Sequence, residues 1–215
     1  MLLAEPMTVA TDGLLAAVAV VLALRLLRPR PGPGVRLMAA GFLALAGAAL
    51  LGGAVHGFGP RLSLGARATA WALIYAGIGL ANLLLLAGVV VALVPPRFRT
   101  LVLGALSLRF VAATILSMGR GFTFVMGDIV LSLVLLLGLG LFFTLARPRP
   151  FGPWLLLAVV ASFLGAFVQV SRLSPHPDFN HNDLFHVIQM GGIYFFYRAA
   201  LFLDGQPLTR KRPAD

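Results

Sequence analysis

The segment WALIYAGIGLANLLLLAGVVVALV, residues 71–94, decides the class of this protein. It contains no charged residue, and its single amide side chain is that of Asn82. A helix needs about 20 apolar residues to cross a bilayer, and this segment is long enough. A surface helix of a soluble protein would carry a polar face, which is missing here. The segment therefore predicts a transmembrane helix.

Six further apolar runs predict an all-α, polytopic membrane protein: a seven-transmembrane-helix bundle formed by a single domain, residues 1–215. The chain is 60% hydrophobic and 11% charged, whereas soluble domains are about 45–50% apolar and about 25% charged. A water-soluble globular domain is thereby excluded. Pro, Gly and Arg clusters end each run. The seven runs are Val9–Leu27, Val35–Phe58, Arg67–Val94, Phe98–Met118, Phe122–Ala146, Gly152–Leu173 and Leu184–Leu203.

The net charge of +10 reflects membrane topology rather than nucleic-acid binding, because the basic residues lie in short clusters between apolar runs. Twelve of the 17 basic residues fall on one side of the predicted bundle, including Arg210, Lys211 and Arg212 at the C-terminal end. The opposite side carries four. The positive-inside rule then predicts an outside N-terminus and a cytoplasmic C-terminus. The expected partner is membrane lipid, and no nucleic-acid partner is expected. The absence of cysteine excludes disulfides, thiolate metal sites and cysteine nucleophiles.

This orientation places all four histidines and most carboxylates near the outer ends of the helices. Ionisable groups inside a membrane are costly, and they point to a functional site unless they pair with one another. The candidates for a catalytic general base are Asp12, Asp128 and Asp183. Arg109 lies at a depth similar to that of Asp128 on the preceding helix. The two are therefore expected to form a buried ion pair, or else to contribute to a polar pocket.

The start of the seventh helix carries the densest set of polar residues. Asn180 followed by Asp183 is typical of a helix N-terminus. At 100° per residue one stripe faces the bundle interior, since its polar members would not face lipid. Its members are Asn182, His186, Gln189, Ile193 and Tyr197.

The histidines suggest three kinds of site. A catalytic zinc ion takes three protein ligands and a water molecule. His56 near the outer end of helix 2 and His186 on helix 7 would supply two ligands, and His181 or a neighbour (His176, Asn182 or Asp183) the third. The alternatives are a hydrogen-bonded histidine cluster without metal and a pathway for protons or substrate.

Seven helices, a His near the end of helix 2 and a His motif opening helix 7 resemble the superfamily of alkaline ceramidases, adiponectin receptors and progestin receptors. The resemblance implies a zinc ion held by three His in the membrane and a zinc-bound water that cleaves a lipid amide. His56 then takes the helix-2 ligand position and His186 the second helix-7 position. Asn182 takes the first helix-7 position, with His181 beside it. The segment Phe179–Gln189 is also similar to an uncharacterised bacterial family of multi-pass proteins, which implies a bacterial cytoplasmic membrane and no particular activity.

Two functions from different classes follow. The first is a Zn²⁺-dependent hydrolase of a lipid amide or ester, with its site in the outer-leaflet half of the membrane. The second is a non-enzymatic protein that binds or transports lipid through a polar His/Asp cavity without metal. Polar residues expected in either pocket are Asn182, Gln189 and Arg109.

Overall fold

The computed structural model describes residues 3–28, 30–118 and 120–203. These ranges form seven α-helices, in agreement with the all-α prediction. The helices are α1 (Pro6–Leu26), α2 (Pro33–Phe58), α3 (Leu64–Leu93), α4 (Pro96–Ser117), α5 (Thr123–Leu141), α6 (Phe151–Ser171) and α7 (His181–Leu203). A 3₁₀ turn (Gly59–Arg61) follows α2, and a π-helical turn (Phe142–Ala146) follows α5. The basic C-terminal residues Arg210, Lys211 and Arg212 lie outside the described residues.

Three of the helices begin at a proline, a residue that is well tolerated at the first position of a helix. Pro6, Pro33 and Pro96 occupy the first positions of α1, α2 and α4. A proline there has the required φ and lacks only an N–H that would be unpaired anyway. Among the described residues, α1 to α6 are long and apolar enough to cross a membrane. The protein thus has the composition of a multi-pass membrane protein.

The helices form a closed ring. Each packs on the next along the chain, and α7 also packs on α1. Helix α4 lies at the periphery against α3 and α5, and of its residues only Leu106 and Ser117 are buried. Helices α2 and α3 approach closely at Gly34 and Gly88, where a Cβ on Gly34 would lie 2.6 Å from the Gly88 carbonyl oxygen. Small residues permit such backbone contact between membrane helices.

The antiparallel succession brings the starts of α1, α3, α5 and α7 to the same end of the bundle as the ends of α2, α4 and α6. At this end the Ala4 N–H donates to the Gly57 carbonyl at 3.1 Å, joining the segment before α1 to the end of α2. His56, His181 and His186 all lie here, and we call it the histidine end. It is the end that the distribution of basic residues predicts to face outside.

Candidate functional site

A cavity of about 390 Å³ lies inside the ring of helices, within the size range of small-molecule sites. Every helix except α4 contributes to its wall. The wall extends over fifteen residues along each of α3, α5 with its N-cap, and α7: from Trp71 to Leu85, Phe122 to Leu136 and Asn182 to Phe196. At 1.5 Å per residue this makes the cavity about 20 Å long. It is therefore a slot along the bundle axis that starts at the histidine end.

The wall of this slot is polar at the histidine end and apolar beyond it. The polar side chains near that end are those of Asp12, His56, Gln169, Asn182, His186 and Gln189. Deeper in the bundle the wall consists mainly of Leu, Ile, Ala and Phe, interrupted by Asn82 on α3 and Ser162 on α6. The slot thus presents two chemically different compartments to a ligand.

A hydrogen-bonded cluster joins α1 to α7 at the polar compartment. The Nδ1 atom of His186 lies 3.0 Å from the Thr11 hydroxyl, and its Nε2 atom lies 3.4 Å from Asp12 Oδ1. The Thr11 hydroxyl is also 3.2 Å from Asp183 Oδ1, while the Asn180 N–H donates to Asp183 Oδ2 at 2.8 Å. Asn180 Oδ1 accepts from the Asn182 N–H at 2.7 Å. These reciprocal bonds form the helix start expected from Asn180 and Asp183.

A second histidine contact joins the segment before α1 to the end of α2. His56 Nδ1 lies 3.1 Å from Glu5 Oε2, and the Glu5 carboxylate also accepts from the Thr8 hydroxyl at 3.4 Å. The His56 ring meets the Trp71 ring edge-on, with 5.7 Å between centroids. From Trp71 an aromatic row continues along the wall: Trp71 stacks on Tyr75 at 5.8 Å, and Tyr75 lies 5.4 Å from Phe122.

Asp12 is the most unusual group of the wall. The residue is 4% exposed, and its Oδ2 atom has no hydrogen-bond partner, although Oδ1 faces His186. Its carboxylate lies against α2, where a Cβ on Gly52 would be 3.4 Å from both carboxylate oxygens. A Cβ on Gly53 would be 3.1 Å from the Asp12 Cβ. The Gly52–Gly53 pair therefore makes room for a buried carboxylate with one free acceptor.

The predicted pair of Arg109 and Asp128 is present, with 2.6 Å between Arg109 Nη2 and Asp128 Oδ1. Asn82 donates to Asp128 Oδ2 at 2.7 Å and to the Ser132 hydroxyl oxygen at 2.9 Å. The carboxylate of Asp128 is thus fully engaged in a structural network that links α3, α4 and α5. Of these residues Asn82 reaches the cavity wall, whereas Arg109 and Asp128 lie behind it.

The three predicted metal ligands do not come together as a three-ligand set. Among the described residues, no group of three or more His, Asp or Glu side chains is arranged to hold a metal ion. His56 and His186 line the same cavity, but each ring faces a different carboxylate. His181 is the first residue of α7, and its backbone N–H donates to the Ser174 hydroxyl at 3.2 Å. As arranged, these side chains do not fit a tetrahedral zinc site.

The linked hydroxyl, imidazole and carboxylate of Thr11, His186 and Asp12 have the composition of a nucleophile, a base and its orienting acid. Thr11, however, is buried and does not belong to the cavity wall, so a substrate in the slot does not reach its hydroxyl. Its oxygen also contacts the Thr8 carbonyl at 3.1 Å. The cluster therefore holds α1 against α7 and presents Asp12 and His186 to the slot.

The sequence matches the family described as "Family of unknown function (DUF6962)" over residues 7–204. The chain belongs to this family. No curated protein and no solved structure matches the chain. The region matched to DUF6962 covers all seven helices except Pro6, the first residue of α1, and it contains every residue of the cavity wall, so the slot lies within the family domain.

The sequence analysis did not predict several residues of this DUF6962 site. Thr8 lies four residues before Asp12, and Thr11 lies directly before it. Glu5, Thr8 and Asp12 therefore recur at intervals of three and four residues, which places them on one face of an otherwise apolar helix. This polar stripe indicates the face of α1 that points into the bundle. The aromatic row had no such signal, because it depends on how α3 packs against α5.

Proposed function

We propose that this protein is an integral membrane protein of seven spans that binds an amphipathic, lipid-like ligand in its central slot. The observation that carries the proposal is the division of one cavity into a polar compartment at the histidine end and an apolar compartment beyond it. An apolar ligand body would gain from burial in the deeper part. A polar head group would satisfy the amide, imidazole and carboxylate groups at the histidine end, which are costly to leave unpaired.

Helix α7 is the seventh span in this proposal. It has 23 residues, against 21 for α1, and the polar side chains of its first three turns need not face lipid. Asn182, His186 and Gln189 line the slot, and Asp183 is fully buried against Thr11. With seven spans and the basic residues concentrated at the opposite end, the histidine end faces outside, and a bacterial cytoplasmic membrane is the proposed location.

The fluorescence of Trp71 provides a test, because this side chain lines the slot and the chain has only one other tryptophan, Trp154. In a Trp154→Phe background, reconstituted in nanodiscs of zwitterionic lipid, a brominated fatty alcohol should quench Trp71 with a saturable dependence on concentration. The slot-filling change Ala161→Phe should abolish saturation. A matched change at the exposed Ala112 of α4, Ala112→Phe, should leave it intact. Quenching that is linear in all variants would reject the proposed ligand site.

The Zn²⁺-dependent hydrolase remains a prediction, supported by the placement of His56 and His186 on one cavity wall. It differs from the binding function in requiring stoichiometric metal. Elemental analysis of the detergent-purified protein tests it directly: zinc present in the wild type and lost in His56→Ala would favour the hydrolase. Metal-free protein that still shows saturable Trp71 quenching would favour the ligand-binding function.

A further inference from the structure

We infer that the head group bound at the histidine end is a cation, such as an alkylammonium group carried on an apolar chain. This inference rests on the proposed ligand-binding function and specifies its ligand class. It stands on three features of the slot: the sign of the charge at the polar compartment, the unpaired carboxylate oxygen of Asp12, and the aromatic row of Trp71, Tyr75 and Phe122.

The first feature is the sign of the charge at the polar compartment. Asp12, His56 and His186 line the slot, whereas the carboxylates of Glu5 and Asp183 lie outside its wall, Glu5 beside His56 and Asp183 beside Thr11. With all three carboxylates ionised, these five side chains carry a net negative charge even when both rings are protonated. None of the described residues that line the slot is Lys or Arg. An anionic head group would therefore meet repulsion, and a cation would meet attraction in a medium that screens charge poorly.

The second feature is the free oxygen itself. Asp12 Oδ2 is buried and has no partner, while the same carboxylate lines the slot. A buried carboxylate oxygen without a donor leaves the charge of the group poorly compensated, so the arrangement favours a positive charge in the adjoining slot. His186 contacts the Thr11 hydroxyl through Nδ1 and Asp12 Oδ1 through Nε2. Oδ2 is therefore the carboxylate oxygen of Asp12 that is left without a partner.

The aromatic row supplies a complementary surface. Trp71, Tyr75 and Phe122 follow one another at 5.8 and 5.4 Å between ring centroids, and all three line the slot. Aromatic faces attract cations, and the combination of several rings with a carboxylate is the chemistry that recognises quaternary ammonium groups. A neutral alcohol would pack against these rings without the electrostatic gain.

The test compares two probes of equal chain length, bromododecyl-trimethylammonium and bromododecanol, by quenching of Trp71 in the Trp154→Phe background and zwitterionic nanodiscs. The cationic probe should half-saturate the wild-type slot at a concentration about tenfold lower than the alcohol. Asp12→Asn should remove most of this preference, whereas Asp178→Asn, at an exposed loop carboxylate, should preserve it. Because bilayer partition of each probe is the same for all variants, a difference between variants reports the slot.

A second variant keeps the inference testable if Asp12→Asn does not fold. Tyr75→Leu retains an apolar wall but removes a ring of the row, and it should weaken the cationic probe several-fold while leaving the alcohol unchanged. Equal saturable quenching by both probes in the wild type would overturn the cation inference and leave the ligand-binding function standing. Absence of saturable quenching by either probe would overturn both.

Discussion

His186 on α7 and Asp12 on α1 face each other with 3.4 Å between Nε2 and Oδ1, at the seam where the last helix closes the ring against the first. The two side chains therefore serve the fold and the cavity at once. They contribute to the contact between α1 and α7, and they form part of the polar wall of the slot. Changes at this seam are expected to affect stability and ligand binding together, whereas changes elsewhere on the wall should affect binding alone.

Thr11 is predicted to be the main polar stabiliser of the seam. Thr11→Val preserves the shape of the side chain but removes the hydroxyl that lies between His186 Nδ1 and Asp183 Oδ1. Both buried groups would lose a partner, and the expected loss of stability is about 1–3 kcal/mol. Thermal unfolding of the detergent-purified protein measures it. Thr123→Val, at the exposed first residue of α5, is the control, and an equal effect of both changes would contradict the role of Thr11.

Arg109 and Asp128 are predicted to be energetically coupled. Either Arg109→Leu or Asp128→Leu leaves a charge without its partner in a largely buried position, at an expected cost of about 3–5 kcal/mol. The double variant should be less destabilised than the sum of the two single variants, because neither charge is then left alone. Thermal unfolding of the three variants decides. Additive losses would show that the pair does not interact.

The orientation of the bundle can be measured by cysteine labelling, since the natural chain has no cysteine to interfere. Asp178→Cys lies in the exposed loop at the histidine end, and Arg97→Cys lies at an exposed position of the opposite end. A membrane-impermeant maleimide should label Asp178→Cys in intact cells and Arg97→Cys only after permeabilisation. The reverse pattern would invert the proposed topology.

Much of the fold could be predicted from the sequence, because each transmembrane helix is indicated by its own apolar run and by the Pro, Gly and Arg residues that end it. The predicted run Val9–Leu27 corresponds to α1. The run Arg67–Val94 corresponds to α3, which begins three residues before the run, at Leu64. The seventh apolar run starts at Leu184, but Asn180 and Asp183 predicted the helix start before it, and α7 does begin at His181 with the reciprocal bonds of these two residues.

The site was less predictable, because it depends on contacts between helices distant in sequence. The pairing of Arg109 with Asp128 followed from similar depth on consecutive helices. The partners of His56 and His186 did not follow, since depth alone does not specify which side chain a ring faces. His56 faces Glu5 and His186 faces Asp12, two pairings between residues that are far apart in sequence.

The most direct test of the central claim is native mass spectrometry of the protein released from detergent, with identification of any bound molecule. We predict that the wild type and Ala112→Phe each retain one amphipathic molecule per chain, and that Ala161→Phe, which fills the slot, retains none. Absence of a bound molecule from the wild type, or its equal retention by Ala161→Phe, would contradict a ligand site within the ring of helices.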